Sequence, residues 1–284
     1  MAATNNPMIS GSMASVPNPN PVSATTLHVA GILTTVHGLD LLPPSSDVSS
    51  VAVLWLLHPR LQTQEYGTAR DVSLLLDYLP SYIFPHGDYT ITQNLVLGIS
   101  LGGHAAWHCL LHEPRISTAV VVIGCPDYTR LMTDRAIRSK LQTATASSPP
   151  GRTFVGSPDF PRSLVEQVEK YDLAGLLLGE LDTFTGDDWK HEPSELEKTR
   201  LMPILRDKLA GKRVLALSGG KDKLVPPACG EPFYLFLSNA KKWMEGSLVL
   251  ENVIDPEAGH EYSAKMREAA VEFICRTTPR YSKM

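Results

Sequence analysis

Gly98-Ile99-Ser100-Leu101-Gly102-Gly103 is the stretch of this 284-residue chain whose residue types and spacing best suit covalent chemistry. A serine flanked by glycines two before and two after fits a sharp strand-to-helix turn, where small neighbours let the backbone pass closely. The Ser100 hydroxyl would then project above a sheet edge. It would stand at a helix N-terminus, whose dipole and free N–H groups favour a developing anion. The N–H of Leu101, next after the serine, is the expected first donor to that anion. A serine hydroxyl alone is a weak nucleophile, so a base and a group that orients the base should follow it. Asp222 and His260 are the candidates. Asp222 stands in Ser218-Gly219-Gly220-Lys221-Asp222 after an apolar run at 214–217, and His260 follows Gly259 just ahead of a last helical stretch. Each has a bland alternative: a turn-forming Asx residue for Asp222, a capping or surface residue for His260. Their order along the chain, Ser then Asp then His, each after its own strand, is one that serine triads use.

Other residues compete for these roles. Asp127 follows the β-branched run at 117–124, and Asp255 lies close to His260 in sequence. The carboxylate must face the histidine loop, and the Gly220-Lys221-Asp222 turn favours Asp222. His104, His108 and His112 recur four apart along one helical stretch. That spacing can hold zinc, but ligands stacked over successive turns do not readily converge on one ion, so packed, hydrogen-bonded histidines are expected. No HExxH, GxGxxG or GxxxxGK[ST] pattern occurs, so neither a metal nor an organic cofactor is expected.

The elements that must position Ser100, Asp222 and His260 are legible as alternating runs. Residues 27–35 read as one strand. The continuous apolar run at 51–57 suits a strand buried on both faces of a parallel sheet. Residues 68–82 carry apolar positions at helical spacing, 94–99 form the next buried strand, and 102–112 read as a helix that Pro114 stops. Strands follow at 117–124, 213–217 and 247–254, and the last helix spans 262–276. Strands alternating with helices predict an α/β fold, a mostly parallel central sheet flanked by helices. Between 127 and 210 the pattern is helical but broken by prolines and glycines, which reads as an inserted cap or lid between the sixth and seventh core strands. The expected organisation is a flexible arm at 1–26, a core at 27–126 and 211–284, and a helical cap at 127–210. Phe184 and Trp189, in a stretch at 183–193, are candidate substrate contacts in a lid loop.

Composition narrows the partners. The chain is 43% hydrophobic and 20% charged with a net charge of −4, and it has no Lys/Arg block, which argues against nucleic acid. The four cysteines are scattered without CxxC spacing, so no disulfide framework is indicated and a reducing compartment fits. Residues 1–26 are rich in Asn, Pro, Ser and Ala without an apolar core, unlike a secretory signal, and no 18-residue apolar run could span a bilayer. A cytoplasmic protein acting on a small molecule is the expectation. Natural substrate and oligomeric state are not written in these patterns.

Residues 27–278 resemble the α/β-hydrolase superfamily, in particular its small intracellular esterase-like members. The resemblance rests on Gly98-Ile99-Ser100-Leu101-Gly102-Gly103, on Gly220-Lys221-Asp222-Lys223-Leu224-Val225-Pro226 and on Gly259-His260. It implies that Ser100 attacks a carbonyl, His260 takes its proton and Asp222 holds the imidazole in the useful tautomer. It also implies an oxyanion loop beginning at His58. Where a glycine-rich loop is usual, this chain has His58-Pro59-Arg60-Leu61. Pro59 has no N–H to give, so the second oxyanion donor falls to Arg60 or Leu61, with Arg60 favoured. The implied reaction is hydrolysis of a carboxylic ester or thioester of a small to medium, largely apolar acyl substrate. Carbon–carbon bond hydrolysis or acyl transfer by the same triad, and a low-turnover ligand-binding receptor, are the alternatives, since one fold supports several functions.

Overall fold

Runs rich in Val, Ile and Leu form the strands of a five-stranded sheet, and every neighbouring pair in it is parallel. The computed structural model describes residues 22–46, 50–57, 65–179, 193–244 and 246–278. The first described segment is an antiparallel hairpin, β1 (Ala24–Val29) and β2 (Ile32–His37). The single strand expected over 27–35 is therefore two. Ala30 and Gly31 both take positive φ, 49° and 84°, as a two-residue hairpin turn requires.

The sheet then builds in chain order: β3 (Ser50–Leu57), helix α1 (Glu65–Ile83), β4 (Thr90–Ile99), helix α2 (Leu101–His112) and β5 (Ile116–Val122). Among the described residues, five helices follow: α3 (Tyr128–Arg138), α4 (Gln142–Thr145), α5 (Arg162–Tyr171), α6 (Leu173–Leu178) and α7 (Glu195–Leu209). β6 (Arg213–Gly219), α8 (Pro227–Ala240), β7 (Val249–Asp255) and α9 (Ala264–Thr277) complete it. Six core strands were expected before the helical insertion. Among the described residues, three parallel strands and the separate hairpin precede it.

Alternation along the strands divides the core, because successive side chains point to opposite faces. Ala119, Val121, Val214 and Ala216 join residues of α1, α2, α7 and α8 in one cluster. Val120, Val122, Leu215 and Leu217 join Met266, Ala270 and Phe273 of α9 in another. A third cluster lies wholly between β5 and β6 and holds Ala136, Ala144, Phe154, Phe160 and Val168. The expectation that β3 is buried on both faces fails. As the outermost strand of the five, it leaves Leu54 and Leu56 38% and 67% exposed. Among the described residues no helix is long and apolar enough to cross a membrane.

Candidate active site

β4 delivers Ser100 to the C-terminal edge of the sheet, and α2 begins at the next residue. Ser100 adopts φ 55° and ψ −117°, a backbone conformation rare for a residue with a side chain. Glycine neighbours make the turn possible. A Cβ on Gly98 would lie 1.8 Å from the Gly102 carbonyl oxygen. The first turn of α2 rests directly on the exit of β5, where a Cβ on Gly124 would lie 2.5 Å from Gly103 C. The Ser100 N–H donates to Val122 O at 2.8 Å, tying the serine to β5.

The β5 exit is itself kinked. Ile123 has φ 54°, an outlier for a β-branched residue, and its N–H donates to Leu217 O at 2.7 Å. The carbonyls beyond it meet donors from α2. Trp107 Nε1 donates to Gly124 O at 3.2 Å, and His104 Nδ1 lies 3.0 Å from Cys125 O, which makes Nδ1 the protonated nitrogen.

Asp222 and His260 arrive from the ends of β6 and β7. Gly219 and Gly220 let their two loops touch: a Cβ on Gly219 would lie 2.2 Å from Gly259 O, and one on Gly220 2.8 Å from Pro256 Cα. Backbone bonds then lock the loops, Gly220 N–H to Asp255 O at 2.7 Å and Lys221 N–H to Ala258 O at 2.9 Å. Asp222 Oδ1 accepts from the N–H groups of Leu224 and Val225 at 2.7 and 3.0 Å, while Oδ2 lies 2.9 Å from His260 Nδ1. The Asx-turn role and the contact to histidine thus coexist on the two oxygens of one carboxylate. The carboxylate is fully buried and the imidazole 23% exposed. On the far side of the ring, His260 Nε2 lies 2.8 Å from Ser100 Oγ. With the proton on Nδ1, held by Asp222, Nε2 is the acceptor for the serine hydroxyl. Ser100 is the N-cap of α2 yet makes no side-chain cap bond, although capping is what an N-cap serine ordinarily does.

The competing residues are engaged elsewhere. Asp127 caps α3, its Oδ1 accepting from Arg130 N–H at 2.8 Å. Burial pushes its pKa up against the opposing effect of Arg130. Asp255 accepts from Ser263 Oγ at 2.6 Å and from Glu257 N–H at 3.2 Å, and the Ser263 bond leads in holding its carboxyl below the ordinary range. His112 Nε2 bonds Tyr171 O at 2.9 Å, and the His108 and His112 rings stack 6.0 Å apart. Among the described residues no group of three or more His, Cys, Asp or Glu side chains is placed to hold a metal ion. Leu101 is the first residue of α2, so its N–H has no acceptor within the helix. His58, Arg60, Phe184 and Trp189 lie outside the described residues.

Sequence reasoning did not single out Ile123, Trp107, Gly124, or the Leu224 and Val225 amides. The Gly219-Gly220 pair was a signal for close backbone approach, but its partner at 256–259 could be identified only from the structure.

No protein-family model matches the chain, and no curated protein does. Solved structures align with it at low identity and low TM-score. The acylaminoacyl peptidase of Pyrococcus horikoshii aligns at TM-score 0.44 and 10% identity over 78% of this chain and 29% of that one. This chain therefore spans under a third of that protein. An esterase of Pyrococcus furiosus aligns at TM-score 0.43 and 12% identity over 90% of this chain and 91% of the other. A 2,6-dihydroxy-pseudo-oxynicotine hydrolase aligns at 0.42 and 14% over 89% and 67%. Likenesses this distant carry no argument about activity. By its own parallel sheet, its strand–Ser100–helix turn, and the arrival of Asp222 and His260 from the two following strands, the chain has the α/β-hydrolase fold.

Proposed function

We propose that the protein is a serine hydrolase that cleaves a carboxylic ester or thioester of a small to medium, largely apolar substrate. One observation carries this reading: the unbroken hydrogen-bonded chain from Ser100 Oγ through His260 to a buried Asp222, at 2.8 and 2.9 Å. His260 Nε2 takes the proton as Ser100 Oγ bonds to the substrate carbonyl carbon, and Asp222 stabilises the imidazolium that results. The carbonyl oxygen becomes an oxyanion beside the α2 N-terminus, where the Leu101 N–H is the first donor and the Arg60 N–H is assigned as the second. His260 then returns the proton to the departing alcohol or thiol, leaving an acyl-enzyme on Ser100. Water, deprotonated by His260, releases the acid and restores the serine. In this reading residues 127–210 act as the cap over the sheet edge, and His58, Phe184 and Trp189 contribute substrate contacts.

The test is labelling of the intact protein with a fluorophosphonate, alongside Ser100→Ala and His260→Ala, and turnover of short p-nitrophenyl esters. Labelling and turnover in the wild type that vanish in both variants support the reading. Labelling without ester turnover would move the function to carbon–carbon cleavage or acyl transfer. A folded wild type that neither labels nor turns over sinks it in favour of ligand binding.

A further inference from the structure

Asp222 Oδ1 is held by two amides from residues that follow it, Leu224 N–H and Val225 N–H, at 2.7 and 3.0 Å. Side chains anchor this stretch poorly. Lys223 and Leu224 are both exposed, Leu224 to 57%, and Val225 is the first to be buried. The orientation of the 223–224 and 224–225 peptides therefore needs another support.

That support comes from α3. Each amide shares a rigid plane with the carbonyl of the residue before it, and in a trans peptide the two point opposite ways. Arg135 donates from Nε and Nη2 to Leu224 O at 3.2 and 2.9 Å, the carbonyl in plane with the Val225 amide. Arg138 donates from Nη1 to Lys223 O, the carbonyl in plane with the Leu224 amide. Its guanidinium is fixed in turn by Asp134, Nε to Oδ2 at 2.7 Å. Arginines in the last turn of a helix ordinarily offset its dipole. Here two of them cross to the acid loop, so each peptide meets a cation at its carbonyl and the Asp222 carboxylate at its amide. Donation to a carbonyl also polarises the amide behind it and strengthens the onward bond.

We infer that Arg135 and Arg138 are positioning residues: from α3, through these two peptides, they hold the Asp222 carboxylate in line with His260 Nδ1. The effect on rate rests on the proposed hydrolase; the placement of Asp222 does not. The test compares full-length wild type with Arg135→Ala/Arg138→Ala and Arg135→Lys/Arg138→Ala, each checked by a thermal melt. Long-range proton–nitrogen spectra of the imidazoles, at about pH 8 where an ordinary histidine is neutral, read which nitrogen carries the proton. His260 is identified by its loss in His260→Ala. Wild type should carry the proton on Nδ1, and the double alanine variant should show a mixture of both tautomers. Its fluorophosphonate labelling should slow about tenfold, and kcat on a short ester should fall with KM unchanged. Arg135→Lys/Arg138→Ala, which restores one donor, should recover part of each loss. If the double alanine variant does not fold, Arg135→Ala carries the same readings. A variant that keeps His260 wholly protonated on Nδ1 overturns the proposal, as does a raised KM at unchanged kcat. A wild type that neither labels nor turns over sinks the hydrolase reading alone, and the tautomer then decides the placement.

Discussion

Ser100 Oγ sits where it could close the N-terminus of α2, and instead it lies 2.8 Å from His260 Nε2. Its backbone strain, a cost of about 1–3 kcal/mol, is held in place by glycine contacts on both sides. Three outcomes follow at this scale. Replacing Ser100 by Ala should lower kcat on a p-nitrophenyl ester by roughly 10⁶-fold. Asp222→Asn should lower it by about 10⁴-fold, with the thermal melt of each variant showing intact folding. Gly98→Ala should destabilise the protein by about 3 kcal/mol or more, because the new Cβ would stand 1.8 Å from the Gly102 carbonyl oxygen. Urea titration of that variant reads the loss directly, and a midpoint equal to that of the wild type would contradict the turn described.

Elements place these residues through contacts at both ends of α2. From its first two turns, His104 and Trp107 hold the kinked β5 exit against which Ser100 is bonded. Trp107→Phe keeps an aromatic ring but removes part of the indole's volume and the donor to Gly124 O. It should cost about 1 kcal/mol and slow fluorophosphonate labelling of Ser100, as read from timed labelling beside a melt. At the far end, Glu113 is buried and bonded twice over by Arg115 at 2.7 and 2.8 Å. Burial opposes ionisation, but the Arg115 hydrogen bonds and charge outweigh it and bring the Glu113 pKa down to about 2 from an ordinary 4.5. A carboxyl depressed in the folded state stabilises fully above its unfolded pKa and loses that contribution as pH falls through the folded one. Stability should therefore drop between about pH 4.5 and pH 2. About 2 kcal/mol of that drop should disappear in Glu113→Gln, after allowance for the partly exposed Arg115. Urea midpoints measured across that range check both statements.

At the scale of the whole molecule, the described residues form an apolar core of two layers on a parallel sheet plus a satellite core among the helices between β5 and β6. Phe160 is fully buried in the satellite, beside Phe154 with ring centroids 5.3 Å apart. Phe160→Ala should cost about 3–5 kcal/mol, concentrated in the helical insertion. If that insertion caps the substrate, KM for an extended ester should rise while labelling by a small fluorophosphonate stays near the wild-type rate. An unchanged KM would remove the insertion from substrate binding.

What the sequence by itself determined was the local logic. Glycines around Ser100 announce a turn, since a side chain there has no room. The strand runs at 94–99 and 213–217, and the order Ser100, Asp222, His260, follow from composition and spacing alone. Tertiary structure decided everything that depends on which segments become neighbours. It divided the expected first strand into a hairpin at Ala30-Gly31, and put β3 at the sheet edge with one face open. It drew Asp222 rather than Asp127 or Asp255 to His260, because the loops after β6 and β7 lie side by side, bonded backbone to backbone. Periodicity reports which face of an element is apolar. The partner that covers that face is set by strand order and crossover, and neither is a property of any one segment.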